Sequence, residues 1–496
     1  MTESPNGARA TRQTDAKAAR GVPIRTIMLG LAGVALMTLG GTGAGATLKR
    51  DPLLADTSLS WIRYGHGYDL ANMVLYVGLG LLVWAWARLG RMVRLRLVGS
   101  LAVLIATAAW TLPLLFAPPL FSKDIYSYLA QGQLALHGFD PYSVGPAALP
   151  SPLTDNVSWV WQNTPAPYGP LFMLIAKGVV WATNGSVIGG VVLMRLVLVI
   201  GLVLLCWALP GLARHLGGRS AVALWLVVAN PLLLVHLVGG AHNDLLMVGL
   251  MAAGVLLMLN RRHVLAIVLV TLAFAVKATA AVVLPFLVWI WVTRLEGTQR
   301  ARMTRAIGSS VAIFVGVFAS CSLAAGVGLG WIPALRTSST IINWLSLPSA
   351  VGDIVHTVVN WFVRVDQGIF MGVARALGSI ILLRIAWKQW RAASIGGTEA
   401  VRRSAITMLA VALLSPATLP WYFSWPLVLG AGLAWSASGL VVMALASVFL
   451  LLVTFPDGDT ALYSWGYLFI ALLVSLLAAV TVVRPDPLGL SSRYDK

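Results

Sequence analysis

Residues 187–210 read VIGGVVLMRLVLVIGLVLLCWALP, an apolar run whose only charged side chain is Arg195. A helix rises about 1.5 Å per residue and the hydrocarbon layer of a bilayer is about 30 Å thick, so about 20 apolar residues can cross it. The run therefore predicts a membrane-spanning helix.

Similar apolar runs recur along the whole chain, and some of them are shorter than 20 residues. Counted together they predict an all-α polytopic membrane protein with about 14 transmembrane helices, within a range of 12–14. The first run follows a long basic segment without a clear small-residue cleavage site, so we expect a retained span and not a signal peptide. The predicted spans are 25–46, 69–88, 97–118, 187–210, 220–239, 243–260, 263–278, 279–294, 306–329, 367–388, 403–418, 421–435, 437–455 and 462–483.

The composition agrees with a membrane protein, since 58% of the 496 residues are apolar and 10% are charged. A soluble domain has about 45–50% apolar and about 25% charged residues. Soluble enzymes, disordered chains, collagens and disulfide scaffolds are therefore excluded. The two cysteines, Cys206 and Cys321, lie in apolar runs and form neither a disulfide framework nor a metal-binding spacing.

The net charge of +18 has two possible meanings. A basic soluble protein would suggest a nucleic-acid partner, whereas basic residues of membrane proteins collect in cytoplasmic loops. We prefer the second interpretation and expect no nucleic-acid partner. It predicts cytoplasmic tails at 1–24 and 484–496, a single transmembrane domain at 25–483 and a location in the plasma membrane. The basic clusters lie at 9–25, 88–96, 214–219, 261–262, 294–305, 384–403 and 484–496.

The same rule interprets two ambiguous stretches. Residues 263–294 have basic residues at both ends, so we expect a hairpin that turns near Lys277. Residues 168–184 would reverse the orientation of all later loops if they crossed, so we expect a juxtamembrane helix on the outer face. The long outer loops, 119–186 and 330–366, are rich in Trp, Pro, Asp and Asn, and long loops are usually functional. The chain has no Gly-rich phosphate loop between a strand and a helix, and we expect no cytoplasmic nucleotide site.

Asp124 is the first candidate for chemistry, within FSKDIYSYLAQG at 121–132. A carboxylate at the membrane surface, close to apolar walls, can act as a general base. It can equally be a solvated acid that caps the following helix, since Ser122 and Asp124 are both capping residues.

A second cluster, His242, Asn243 and Asp244, follows two glycines at the outer end of a predicted span. Three adjacent polar side chains exceed what a helix cap needs, and they suit the binding of sugar hydroxyls. The alternative is a tight turn with a capping residue. A zinc site is less favoured, because few histidines and no cysteine accompany the cluster.

Three cations, Arg195, Lys277 and Arg375, fall in the outer half of the predicted membrane region. No acid lies within the predicted spans to pair with them, and ionisable residues at such depth are functional candidates. A lipid phosphate would suit them. The alternative is that they snorkel to the headgroups.

Two aromatic segments follow, with Trp421 in LPWYFSWP at 419–426 and Trp344 in INWLSLP at 342–348. Tryptophan rings stack on sugars and also anchor proteins at membrane interfaces. Either role is open for each residue.

Together these motifs resemble a known family. SKDIYSY at 122–128, YGPL at 168–171, NPL at 230–232, HND at 242–244 and Lys277 are similar to motifs of the actinobacterial polyprenol-phosphomannose-dependent alpha-1,6-mannosyltransferases, within the type C glycosyltransferase superfamily. The resemblance covers about 60–490 and is strongest at 121–171 and 230–244.

The resemblance implies a type C fold and an inverting enzyme on the outer, periplasmic face. Its donor would be polyprenyl-phosphate mannose, and its acceptor a growing alpha-1,6-mannan of the lipomannan and lipoarabinomannan core, among membrane lipids. Alternatives are a related transferase that uses another polyprenyl-phosphate sugar, such as glucose or arabinofuranose, and a lipid or sugar transporter. The residues do not indicate an oligomeric state.

The resemblance also assigns roles. Asp124 would be the catalytic base, and Lys277 with Arg195 or Arg375 would bind the donor phosphate. The superfamily often has an acidic pair where this chain has Lys123 and Asp124, so we expect no metal ligands and no cofactor, although a divalent metal stays possible. The residues expected to bind the sugars are His242, Asn243, Asp244, Tyr126, Tyr168, Trp344 and Trp421.

Overall fold

The computed structural model describes residues 21–335 and 342–485, and the terminal parts of the predicted basic tails, 1–20 and 486–496, lie outside the described residues. The described residues form nineteen α-helices and no β-sheet. The first nine are α1 Ile24–Ala44, α2 Gly65–Arg94, α3 Ser100–Leu114, α4 Asp124–Leu136, α5 Pro152–Asp155, α6 Pro170–Ala182, α7 Val187–Leu216, α8 Ser220–Val227 and α9 Asp244–Leu259. The remaining ten are α10 His263–Val276, α11 Leu284–Val292, α12 Gln299–Ala325, α13 Trp331–Ala334, α14 Leu347–Asn360, α15 Gln367–Ala392, α16 Gly397–Leu414, α17 Ser424–Gly430, α18 Ala437–Leu452 and α19 Trp465–Thr481.

Five helical segments of the described chain are long and apolar enough to cross a membrane. They are α1, α2, α7, α12 and α15, the last with the short turn that follows it. A sixth is formed if the π-helical segment Leu233–Gly239 and α9 are taken together as one span, with a bend of 114° between them. The prediction of an all-helical membrane protein is thus confirmed for the described residues. Five or six of their helical segments have the length and composition of a membrane span.

The other predicted spans correspond to shorter helices. Apolar helices of 10–17 residues include α3, α10, α18 and α19. The predicted span 421–435 differs most, because it contains only the end of the 3₁₀ turn Pro420–Phe423 and the seven residues of α17.

The helix predicted on the surface, 168–184, is observed as α6, with Pro170 at its first position. Its 13 residues extend over about 20 Å at 1.5 Å per residue. That length is shorter than the hydrocarbon layer of about 30 Å, so α6 cannot cross a membrane alone. Its Phe172 ring packs edge-on against Tyr128 of α4, with centroids 4.9 Å apart.

The hairpin predicted at Lys277 is confirmed. Lys277 is extended, with φ −148° and ψ 128°, and separates α10 from the 3₁₀ segment Ala278–Val283 that leads into α11. The far ends of the two arms meet, since the Trp291 ring stacks on His263 with centroids 5.2 Å apart. The arms are therefore antiparallel, and Lys277 lies at their common tip.

Candidate functional site

A cavity of about 240 Å³ lies between α4, the segment before α6, the tip at Lys277 and the turn before α17. Four of the predicted site residues line it, namely Asp124, Tyr168, Lys277 and Trp421. The structure thus brings the first outer loop, the predicted hairpin and the aromatic segment 419–426 to one place. Further lining residues are Ser127, Tyr128, Gln131, Trp161, Thr164, Tyr422 and Trp425.

Asp124 is the first residue of α4, and its carboxylate faces the cavity. The backbone N–H of Asp124 donates to Ser122 Oγ at 3.1 Å, so the first N–H group of α4 has a hydrogen-bond acceptor. The Asp124 side chain is 19% exposed, and its Oδ2 lies 3.4 Å from Nδ1 of His242. A partly exposed carboxylate with a buried imidazole behind it has the arrangement that a general base needs.

His242 is fully buried behind Asp124. Its ring lies nearly parallel to that of Trp421, with centroids 3.7 Å apart and an angle of 22° between the planes. The Tyr128 hydroxyl lies 3.5 Å from the same Nδ1. Burial raises the pKa of the Tyr128 phenol well above its ordinary value, so this hydroxyl stays protonated and can donate.

Two strained residues precede the Asp124–His242 pair. Phe121 has φ +59° and Ala241 has φ +54°, both in the left-handed region. Residues with a Cβ adopt this conformation at an energetic cost, and the surrounding structure must hold them there. The two segments that present Asp124 and His242 are thus fixed by their packing.

Asp244 corrects the expectation that no acid would pair with the three cations. Its Oδ1 and Oδ2 accept hydrogen bonds from Lys277 Nζ at 3.0 and 2.8 Å, and Oδ1 also accepts from Trp425 Nε1 at 2.6 Å. Asp244 is fully buried and does not line the cavity. Both its oxygens are engaged by the protein, so it positions Lys277 and Trp425.

Lys277 lines the cavity while it is paired with Asp244. Its side chain is 14% exposed, and Nζ lies 4.6 Å from the centre of the Tyr422 ring and 5.4 Å from that of Trp425. An ammonium over aromatic faces is stabilised electrostatically. Lys277 is therefore held between Asp244 and two aromatic rings.

Asn243 lies between His242 and Asp244 but is turned into the protein. It is fully buried, and within the described part of the chain neither its Oδ1 nor its Nδ2 has a hydrogen-bond partner. Asn243 does not line the cavity. The three residues of the predicted cluster therefore have different surroundings: His242 lies behind Asp124, Asn243 lies in the protein interior, and Asp244 pairs with Lys277.

Arg195 joins the two segments that lead to Asp124 and His242. Its guanidinium is fully buried and donates to the carbonyl oxygens of Leu115 at 3.0 Å and Ala117 at 2.6 Å. It also donates to the carbonyl of Gly239 at 2.8 Å. The structure thus places Arg195 away from the cavity wall and neither at a phosphate site nor snorkelling to a headgroup.

Three further predicted residues lie elsewhere. Arg375 Nε donates to Ser349 Oγ at 3.2 Å, and Trp344 Nε1 donates to Asp353 at 2.9 Å. The Tyr126 hydroxyl donates at 2.7 Å to a backbone carbonyl just after α1. None of the three lines the cavity.

Several residues of the cavity wall are not among the site residues predicted from the sequence. Ser127, Tyr128 and Gln131 follow Asp124 at helical spacing and share its face of α4, so the periodicity could have identified them. Tyr422 and Trp425 lie within the quoted aromatic segment, but nothing in that segment distinguishes them from membrane anchors.

Within residues 21–335 and 342–485, no group of three or more His, Cys, Asp or Glu side chains is arranged to hold a metal ion. The expectation that the enzyme needs no metal stays a prediction.

Comparison with known proteins gives two matching sequence profiles. Residues 27–293 match the profile described as "Alpha-(1->6)-mannopyranosyltransferase, N-terminal domain". Residues 348–484 match the profile described as "MptB C-terminal domain". Together the profiles cover most of the chain, including Asp124, His242, Asp244, Lys277 and the tyrosines and tryptophans that line the cavity.

Individual relatives agree with the profiles. Alpha-(1->6)-mannopyranosyltransferase A of Mycobacterium tuberculosis is 43% identical over 94% of this chain and 91% of the relative. The protein of the same name from Corynebacterium glutamicum is 34% identical over 90% of this chain and 96% of the relative. Alpha-(1->6)-mannopyranosyltransferase B of Corynebacterium glutamicum is 30% identical over 84% of this chain and 75% of the relative. No solved structure matches the chain.

Proposed function

The chain belongs to the family of alpha-(1→6)-mannopyranosyltransferases, and on that premise we propose which donor and acceptor it uses. It is a membrane mannosyltransferase. The proposed donor is mannose linked to polyprenyl phosphate, and the proposed acceptor is the growing alpha-1,6-mannan of the lipomannan and lipoarabinomannan core.

The proposed reaction rests on one observation. Among the described residues that line the cavity, Asp124 has the single carboxylate, and His242 lies behind it. Asp124 takes the proton of the acceptor 6-hydroxyl while that oxygen bonds to the anomeric carbon of the donor mannose. The bond from this carbon to the phosphate oxygen breaks, and polyprenyl phosphate leaves with the electron pair.

The number of acidic side chains in the cavity favours a transfer that inverts the anomeric configuration. A retaining transfer through a glycosyl-enzyme needs a second carboxylate as nucleophile. Asp124 is the single acidic side chain among the described residues that line the cavity. A direct displacement needs only one base, and it inverts the anomeric configuration.

Lys277 is the cavity residue suited to the departing phosphate. An ammonium has three N–H donors, and two of them are engaged by the Asp244 oxygens. The third is available to a phosphate oxygen. Asp244 offsets the charge of Lys277, so we expect a directed hydrogen bond more than a free positive charge. Arg195 and Arg375 do not line the cavity, so among the described residues we assign this role to Lys277.

Sugar binding is proposed for the aromatic wall. Tyr168, Trp421 and the neighbouring Trp161 and Trp425 line the cavity, and flat aromatic faces suit the apolar faces of pyranose rings. The polar side chains of Gln131 and Thr164 can select among hydroxyls.

We further propose a type C architecture with 12–14 spans, cytoplasmic termini and an active site on the outer face of the plasma membrane. Arg94 ends α2 and Arg219 precedes α8, and α3 separates Arg94 from Asp124 along the chain. Arg219 donates to the backbone carbonyls of Val93 and Arg94 at 2.7 and 3.2 Å. Basic residues mark the cytoplasmic side, so the Asp124 cavity would open on the other side.

The test is Asp124→Asn, assayed in membranes with labelled polyprenyl-phosphate mannose and a mannan acceptor. The variant keeps the size of the side chain but loses the base, and we expect at least about a 100-fold lower rate. Asp155→Asn is the matched control, because Asp155 is an exposed acid of the same loop that does not line the cavity. Near wild-type transfer by folded Asp124→Asn would exclude Asp124 as the base, and faster transfer from a glucose or arabinofuranose donor would reject mannose.

A further inference from the structure

A second cavity, of about 310 Å³, lies where the last turns of α2 meet the end of α19. Three arginines line it, Arg88, Arg91 and Arg484, and none of its described lining residues is acidic. Three positive charges around one cavity repel one another where no described lining residue supplies a counter-charge, so the site is suited to an anion.

One donor atom of the arginines in this cavity is buried without a partner. Nε of Arg91 has no hydrogen-bond partner within the described residues. The neighbouring Arg94, by contrast, donates to the carbonyls of Val482 and Val483 at 3.1 and 3.3 Å. A buried donor without a partner is destabilising, so a ligand that accepts from Arg91 would remove this cost.

The rim of the cavity is apolar. Trp84, Leu95 and Leu97 line it and are all exposed, at 50%, 42% and 53%. The Arg88 guanidinium lies 5.6 Å from the centre of the Trp84 ring. Tryptophan is enriched where hydrocarbon meets headgroup, so the rim is suited to the glycerol and upper acyl chains of a lipid.

We propose that this cavity binds the phosphate of an anionic phospholipid, with Arg88, Arg91 and Arg484 around the headgroup and Trp84, Leu95 and Leu97 against its chains. Guanidinium groups bind phosphate oxygens through paired, charge-assisted hydrogen bonds. Basic pockets between membrane helices are known to hold such headgroups. The site is separate from the Asp124 cavity, because α3 runs from the end of α2 towards the Asp124 end of the molecule.

The experiment is native mass spectrometry of the purified full chain in detergent, titrated with phosphatidylglycerol or phosphatidylcholine. We expect the wild type to retain phosphatidylglycerol preferentially. The combined variant Arg88→Gln, Arg91→Gln and Arg484→Gln should bind it at least about tenfold more weakly, since its charge-assisted hydrogen bonds to the phosphate are lost.

A matched control removes the same charge from exposed arginines of the same end, with Arg214→Gln, Arg261→Gln and Arg300→Gln. It should bind phosphatidylglycerol like the wild type. Equal losses in both variants, or no loss in the first, would overturn the proposal. Full displacement of the lipid by inorganic phosphate would show a soluble-anion site instead. Should the combined variant fail to fold, Arg88→Gln alone supports the proposal if it weakens binding and rejects it if binding is unchanged.

Discussion

Nδ1 of His242 lies 3.4 Å from Oδ2 of Asp124, although 118 positions separate the two residues. The contact joins the start of α4 to the bend between Leu233–Gly239 and α9. Because His242 is fully buried and Asp124 is not, the imidazole orients the carboxylate from behind while the other side stays open to substrate.

His242→Phe keeps a flat ring against Trp421 but removes the nitrogen that faces Asp124. The 3.4 Å contact with the carboxylate contributes at most what a hydrogen bond to a charged group does, about 1.5–3 kcal/mol, so the rate falls by up to about 10- to 150-fold. We expect kcat to fall with little change in KM for either substrate. His137→Phe, at an exposed histidine just beyond α4, should have wild-type rates. An unchanged kcat for folded His242→Phe would show that the contact does not serve catalysis.

Lys277→Met should destabilise the fold, because it leaves the buried Asp244 carboxylate with Trp425 as its remaining hydrogen-bond donor. Removing one partner of a buried ion pair costs about 3–5 kcal/mol. The double variant with Asp244→Asn should be less destabilised than the sum of the single variants, as measured by unfolding in detergent. The pair Arg402–Glu399, whose side chains are 57% and 24% exposed, provides a control, with a coupling of about 0.2–1 kcal/mol. A coupling as small for the buried pair would contradict the proposed positioning role of Asp244.

Arg195→Gln distinguishes a positioning role from phosphate binding. The variant loses hydrogen bonds to three carbonyls, so we expect the free energy of unfolding to fall by at least about 3 kcal/mol. The KM for the lipid-linked donor should change little. Arg214→Gln, at the exposed last turn of the same helix, should be neutral. A raised KM for the donor with unchanged stability would instead indicate that Arg195 binds the donor phosphate.

Gly169→Ala tests the close approach of α6 to the tip at Lys277. A Cβ at Gly169 would lie 2.3 Å from the carbonyl oxygen of Ala275, whose neighbour Val276 accepts the Gly169 N–H at 3.2 Å. The backbone must shift, at a cost of about 1–3 kcal/mol, and Lys277 moves with it. We expect lower thermal stability and a lower transfer rate.

Gly178→Ala is the matched control in the same helix, because nothing lies within 4 Å of its added Cβ. Replacing a helical glycine there should stabilise the protein by about 0.5–1 kcal/mol. Equal behaviour of the two variants would show that the contact between α6 and Ala275 is not tight.

Features that depend on local sequence could be predicted. The break at Lys277 follows from basic residues at both ends of one apolar stretch, and the juxtamembrane helix α6 follows from the orientation that the later basic loops require. Asp124 could be selected because a carboxylate at the membrane surface, close to apolar walls, can act as a general base. These inferences use charge placement and sequence pattern and do not require the packing of side chains.

The partners of the buried cations could not be predicted. Asp244 meets Lys277 across 33 positions, at a bend of 114° that packing determines. Arg195 binds backbone carbonyls, which every residue has and which no side-chain pattern marks. Helix lengths differ from the prediction in both directions, because the apolar run 421–435 folds into a turn and one short helix, whereas α2 and α7 each have 30 residues.

The hydrogen bond from Trp425 to Asp244 crosses between the two matched profiles, 27–293 and 348–484. Asp124 and Lys277 come from the first region, and Trp421, Tyr422 and Trp425 of the aromatic wall come from the second. Neither half of the polypeptide could therefore transfer a sugar by itself. A chain divided between the two regions would regain activity only when both fragments are made together and assemble in one bilayer.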